Sequence, residues 1–129
     1  TEVDRELVER ATEGCYQPSS LKALPQAWIR DGFIITGDHY CLRDEMKTNV
    51  SFSAQDIRWE LPDGPFHLVL CRNLVFTYFD DALQKEILDR IVSRIIPGGA
   101  LVIGAHESLP GQKKGLASWT EQHGTYRKD

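Results

Sequence analysis

Cysteine is scarce in this chain, with three residues, Cys15, Cys41 and Cys71, at wide and irregular spacing. They make neither a metal-ligand pattern nor a disulfide framework, so they are expected to be reduced and the protein cytoplasmic. No apolar run approaches the length of a membrane span. The stretch Thr1 to Arg10 is charged throughout and does not resemble a signal peptide. Basic residues are not in excess. The net charge is −4, and a nucleic-acid partner, which needs a basic patch, is not expected. Lys113-Lys114 reads as a solvated loop tip. No metal cluster, internal repeat or low-complexity segment is present, and no glycine-rich phosphate or nucleoside loop.

What is present is the composition of a globular domain: 129 residues, 41% apolar and 26% charged. Asp4 to Glu13 is expected to be a helix, capped by Asp4, stopped by Gly14, with Leu7, Val8 and Ala11 on one face. Thr1-Glu2-Val3 before it reads as the tail of a strand. Cys15 to Ser20 reads as a turn, and Leu21 to Asp31 as a broken helix restarted by Pro25, with Leu24, Ala27, Trp28 and Phe33 inward. Phe33–Thr36 and His39–Leu42 flank Gly37-Asp38, the signature of a two-residue hairpin. Arg43 to Thr48 reads as polar connection and Asn49 to Ser53 as a strand.

The run from Phe66 to Cys71 follows the turn Pro62-Asp63-Gly64-Pro65 and reads as a buried strand. Asp80 to Ile95 carries an apolar stripe of Leu83, Ile87, Leu88, Ile91, Val92 and Ile95, with Asp81 and Gln84 as a capping box and Pro97-Gly98-Gly99 as its stop. Ala100 to Gly104 is a second buried strand. Leu116–Thr120 and Gly124–Lys128 read as a closing hairpin turned at Gln122-His123-Gly124. Strand, helix and strand in that order predict a βαβ unit and a parallel sheet, with the hairpin as an antiparallel edge. Trp28, Trp59 and Trp119 are expected in the core or an interface, and His39 and His123 in turns without chemistry.

Polar groups follow several strand ends. Glu2 follows the first, Asp56 the second, and Arg72 with Asn73 the strand at Phe66 to Cys71. In an open parallel sheet, ligands bind at the carboxyl ends of the strands. An acid there can accept both hydroxyls of a ribose, and a second can accept from the exocyclic amine of adenine, with Ile57 flanking the ring. Together they suggest a nucleoside-bearing ligand, although ordinary loop polarity would account for any one of them.

Several blocks carry a resemblance: Leu70-Cys71-Arg72-Asn73, Tyr78-Phe79-Asp80, Pro97-Gly98-Gly99, and Gly104 with His106, Glu107 and Ser108. Thr1-Glu2-Val3-Asp4 with Ala11, Gly14 and Tyr16, and Val50 and Phe52 with Asp56-Ile57, extend it over essentially the whole chain. The sequence resembles the CheR-type chemotaxis protein-glutamate O-methyltransferases, which use S-adenosylmethionine. The resemblance implies an α/β, Rossmann-like methyltransferase fold. Residues 1–129 would form part of its catalytic domain, with a small β-hairpin insertion at about 33–48. It implies Glu2 as the ribose-binding acid, Asp56 and Ile57 at the adenine end, and Arg72 and Asn73 at the methionine end and the substrate carboxylate. Tyr78 would lie near the transferring methyl group. The implied partner is the cytoplasmic part of a chemoreceptor-like protein, with no direct membrane binding.

The departures are specific. Four residues, Leu74 to Thr77, separate Asn73 from Tyr78 where the family usually has three, so Thr77 is a rival for the tyrosine place. His67 stands where an aspartate is common, and is expected to be a strand residue without a role. The hairpin matches a subdomain that grips a receptor peptide in some members, and here it looks short. His106 and Glu107 are expected to be structural rather than pocket-lining. The family's first strand and glycine-rich cofactor loop are missing, which implies a split sheet and a piece that is inactive alone. The alternatives are a methyltransferase for another carboxylate or small acceptor, and a non-catalytic binding module.

Overall fold

The computed structural model describes residues 1–111, 115–119 and 123–129. The expectations for Lys113, Lys114, Thr120 and Gln122 lie outside the described residues. The chain forms two compact units, Thr1–Asp56 and Ile57–Asp129, and is α/β with an antiparallel and a mixed sheet.

In the first unit, α1 (Arg5–Glu13) is capped as its sequence demands. The Asp4 carboxylate accepts from the Glu6 N–H at 2.9 Å, and Gly14 at φ 69° returns its own N–H to Arg10. Val8 and Ala11 are half-buried, while Leu7 on the expected face stays exposed. A 3₁₀ turn (Pro18–Leu21) and α2 (Gln26–Gly32, entered at Pro25) follow. Then come β2 (Phe33–Thr36), β3 (His39–Leu42) and α3 (Asp44–Lys47), so the expected polar connection holds a short helix.

Cys15–Tyr16 is not part of a turn but a two-residue strand, β1, and the sheet order is β1-β3-β2. Cys15 sits directly opposite Cys41 in this antiparallel pairing, and the two are joined as a disulfide. The expectation of three reduced cysteines is therefore corrected. Spacing along the chain does not reveal a cross-strand register, and β1 reads as part of a turn. Cys71 alone is a free, buried thiol.

The strand expected at Asn49 to Ser53 is absent as a ladder. A single parallel bridge joins Glu2 to Ala54, with the Glu2 N–H donating to Ser53 at 3.1 Å and the Gln55 N–H to Glu2 at 2.9 Å. Among the described residues Glu2 is the one residue this segment bridges to, and Val50 and Phe52 remain exposed.

The second unit holds a four-stranded sheet in the order β4-β5-β7-β6, with β4 (Phe66–Cys71), β5 (Ile95–Ile103), β6 (Leu116–Ser118) and β7 (Thr125–Lys128). β4 and β5 are parallel and the other pairs antiparallel, as the βαβ pattern and closing hairpin predict. The crossover contains α4 (Val75–Tyr78) and α5 (Asp81–Arg94). The α5 stripe is realised: Ile87, Leu88, Ile91 and Ile95 are buried with Leu101, Ile103 and Tyr126 of the sheet. Its N-cap is Asp80, not the expected Asp81, and accepts from the N–H groups of Ala82 and Leu83 at 3.0 Å. Gln84 donates its amide to the Phe79 carbonyl at 2.8 Å. At the other end the Lys128 ammonium donates to the carbonyls of Val92 and Ile95, at 2.9 and 2.7 Å, satisfying the last turn.

Two expectations fail here. The helix stops at Arg94 and β5 starts at once, because Ile96 precedes a proline and is pushed toward extended geometry. Pro97-Gly98-Gly99 is an irregularity inside β5, where the pairing jumps from Phe66↔Ile95 to Leu68↔Ala100. A Cβ on Gly99 would lie 2.7 Å from the Ile95 side chain, so this position admits only glycine without a shift. β4 is not buried on both faces: it is an edge strand, with Leu68 and Leu70 exposed and only Cys71 fully inside. The apolar run reports residue type but not whether a second layer covers it. The three tryptophans are all exposed rather than core.

Ile87 has no accessible surface, and its truncation leaves a cavity. Ile87→Ala is expected to cost about 2–5 kcal/mol in chemical denaturation. A loss under about 1 kcal/mol would contradict this core. Non-reducing peptide mapping is expected to return the Cys15 and Cys41 peptides cross-linked. Burial pushes the Cys71 thiol up to about 11, so it should resist alkylation at pH 8 until the protein unfolds.

Candidate functional site

The predicted site residues fall in both units. In the first, the bridge to Ala54 sets Glu2 beside the segment that leads to Asp56. The Glu2 carboxylate turns back onto the entry of α1, where Oε1 accepts from the N–H groups of Val3 at 2.7 Å and Asp4 at 3.1 Å. Asp56 is half-buried, and next to it Gln55 Oε1 is buried with no hydrogen-bond partner. A buried acceptor without a donor is costly, and a ligand amine or hydroxyl would relieve it.

In the second unit, β4 ends at Cys71 and delivers Arg72 and Asn73 to its carboxyl end, beside the end of β5 at Ile103. Both are exposed. Asn73 has φ 55°, a left-handed conformation that asparagine adopts more readily than most residues. α4 follows, anchored by Val75 and Phe76, which are buried. The Thr77 hydroxyl points inward, and Tyr78 is 74% exposed.

One residue fastens these pieces. Glu107 is buried, the sole such polar or charged side chain among the described residues, and its carboxylate is ringed by donors. Oε2 accepts from the N–H of Asn73 at 2.9 Å and of Gly104 at 2.6 Å, and Oε1 from the Thr77 hydroxyl at 2.6 Å. The Glu107 N–H donates to the Gly104 carbonyl at 3.0 Å. His123 Nε2 lies 2.6 Å from the Glu107 carbonyl and so must carry a proton there. His123 is thus a structural donor rather than an idle turn residue. His39 bonds Asp38 and Gln17 instead.

Burial alone raises the Glu107 pKa, but the Thr77 hydroxyl and the N–H groups of Asn73, Gly104 and Leu74 outweigh it and hold the carboxyl below its usual range. A structural role for Glu107 was expected. That it reaches the loop of Arg72 and Asn73 was not, and the available signal was an acid three residues past a buried strand, where solvation is limited.

Residues 1–125 match the family described as CheR methyltransferase, SAM binding domain. The chain belongs to this family. It is 37% identical over 116 residues to the chemotaxis protein methyltransferase of Salmonella typhimurium and 36% to that of Escherichia coli, covering 84% of this chain and 40% of each relative. The chemotaxis protein methyltransferase 2 of Vibrio cholerae is 28% identical over 113 residues, 84% of this chain and 39% of that protein. The chain therefore spans about 40% of the length of the curated relatives it matches. The cofactor of this CheR domain is S-adenosylmethionine. By their chemistry, the carboxylates and the unsatisfied amide oxygen of the first unit suit hydroxyls and an amine of such a group, and the guanidinium and amide of the second unit, taken by itself, suit a carboxylate.

Because the folded Glu107 pKa is lowered, its ionisation stabilises the fold above the ordinary glutamate value near 4.3, and that contribution disappears as pH falls through the lower folded value. Denaturation curves from pH 7 to 3 should show this loss, and Glu107→Gln should flatten that part of the profile. An unchanged profile would contradict the buried, ionised carboxylate.

Proposed function

We propose that this chain serves an S-adenosylmethionine-dependent O-methyltransferase acting on glutamate side chains of a chemoreceptor-like protein in the cytoplasm. The match to the CheR domain over residues 1–125, with relatives named chemotaxis protein methyltransferases, carries this reading. The parallel β4–β5 pair, with polar residues at its carboxyl end, supports a Rossmann-like sheet. When bound, the cofactor supplies an electrophilic methyl group on a sulfonium.

Glu2 would accept from the ribose hydroxyls, Asp56 from the adenine amine, and Ile57 would flank the ring. Arg72 and Asn73 would hold the amino-acid end of the cofactor and the acceptor carboxylate. A guanidinium pairs with a carboxylate in two parallel hydrogen bonds, which fixes its orientation. A glutamate is already ionised at neutral pH, so the reaction needs positioning more than proton transfer. Tyr78, whose side chain is exposed, would orient the acceptor oxygen.

The three-stranded sheet supports a protein substrate. β2 is an outer strand with Ile34 and Ile35 exposed, an edge on which a receptor peptide can add as a further strand. Exposed Leu68 and Leu70 on edge strand β4 support the reading that this stretch alone does not turn over. The extra residue between Asn73 and Tyr78 favours a second reading, the same chemistry on another carboxylate. In the cytoplasm the Cys15–Cys41 bond would persist only under oxidising stress.

Calorimetric titration of S-adenosylhomocysteine into the intact protein is expected to show binding that Asp56→Ala weakens about tenfold or more, the worth of a hydrogen bond to a charged group. Labelled methyl should then appear as a base-labile ester on a receptor cytoplasmic domain. Absence of binding to the intact protein would defeat the proposal, and binding without transfer to glutamate would favour the second reading.

A further inference from the structure

We infer that Glu107 is the positioning residue for the Arg72–Tyr78 loop, and that its charge sets the geometry with which Arg72 and Asn73 meet the amino-acid end of a ligand. This rests on the methyltransferase reading for the ligand, but not for the loop.

Buried Val75 and Phe76 anchor the α4 part of the loop, but the part that carries Arg72 and Asn73 has few other means of holding its shape. Arg72, Asn73 and Leu74 are exposed, and Asn73 sits in a left-handed conformation that a flexible loop would abandon. Glu107 grips this stretch at both ends, at the Asn73 N–H and at the Thr77 hydroxyl four residues on. The same carboxylate is fixed from behind by the Gly104 N–H at the end of β5. Gly104 is required for that approach, because a Cβ there would lie 2.7 Å from Glu107 Oε2. Converging N–H and O–H groups, with no acidic or basic side chain bonded to the carboxylate among the described residues, favour an anion at this place. A glutamine in its place has one acceptor oxygen and one NH₂ group. Turned one way, the NH₂ group faces the Asn73 and Gly104 N–H donors; turned the other, it reverses the bond to Thr77, whose hydroxyl must then accept, and either way the three bonds lose the charge on their acceptor. The carboxylate touches no ligand itself; it acts through the loop.

The test combines a ligand-free and a ligand-bound measurement on the intact protein. Amide hydrogen exchange should show Asn73 and Gly104 protected in the wild type. Glu107→Gln and Thr77→Val should speed exchange across residues 72–78 about tenfold or more, with α5 unchanged, and Thr77→Ser should restore protection. In parallel, Glu107→Gln should weaken S-adenosylhomocysteine about tenfold, on the scale of a charged hydrogen bond, while 5′-methylthioadenosine, which lacks the amino-acid end, binds as before. Unchanged exchange in residues 72–78, or an equal rise over the whole unit, would overturn the inference. So would an equal loss of both ligands. If the wild type binds neither ligand, the methyltransferase reading fails, and the exchange arm still decides the role of Glu107.

Discussion

A buried carboxylate is an unstable thing to build on, and the second unit is built on one. Taking Glu107 out of water costs several kcal/mol unless donors replace the solvent. Here they come from three separate places: the end of β4, the start of the crossover, and the end of β5. Each donor is there only if its segment is in place. The carboxylate therefore makes the positions of these segments mutually dependent, which a set of independent apolar contacts would not do. That dependence holds Arg72 and Asn73 at the mouth of the parallel pair.

The apolar core sets the frame within which that ion operates. α5 lays Ile87, Leu88 and Ile91 on the sheet, and Lys128 of β7 closes the helix by taking its last carbonyls. With no spare residue between α5 and β5, the strand can begin only where the helix stops. The four residues Ile96 to Gly99 are then absorbed as an irregularity. The carboxyl ends of β4 and β5 are consequently level, with Cys71 opposite Ile103, and the turn from Gly104 to Glu107 folds back beneath the neighbouring loop.

How much of this was legible follows from range. α5, its stripe and the βαβ order are local patterns and were readable, as were the Gly37-Asp38 hairpin and the Asp4 cap. The open face of β4 was not, since Leu68 and Leu70 look the same in a sequence whether covered or bare. β1 was missed because two residues carry no period, and with it went the Cys15–Cys41 register. Of the polar residues expected at strand ends, only Arg72 and Asn73 follow a strand, β4, while Glu2 and Asp56 lie at or near an isolated bridge. Glu107 was found as a residue but not as a hub, because its partners lie 30 and 34 positions away.

Packing sets Thr77 and Tyr78 apart, whichever of them stands at the family's tyrosine place. The extra residue after Asn73 leaves two places for one hydroxyl-bearing side chain. α4 is a single turn, and burying Val75 and Phe76 fixes its rotation. Thr77, though exposed, then turns its hydroxyl onto Glu107, to which its proton is committed. Tyr78, one residue further, is carried outward and keeps its phenol accessible. A threonine at the inner place is small enough to sit beside a buried carboxylate, where a tyrosine ring would displace the donors that make the carboxylate tolerable. The additional residue thus supplies a hydroxyl for the hub and leaves the Tyr78 phenol exposed.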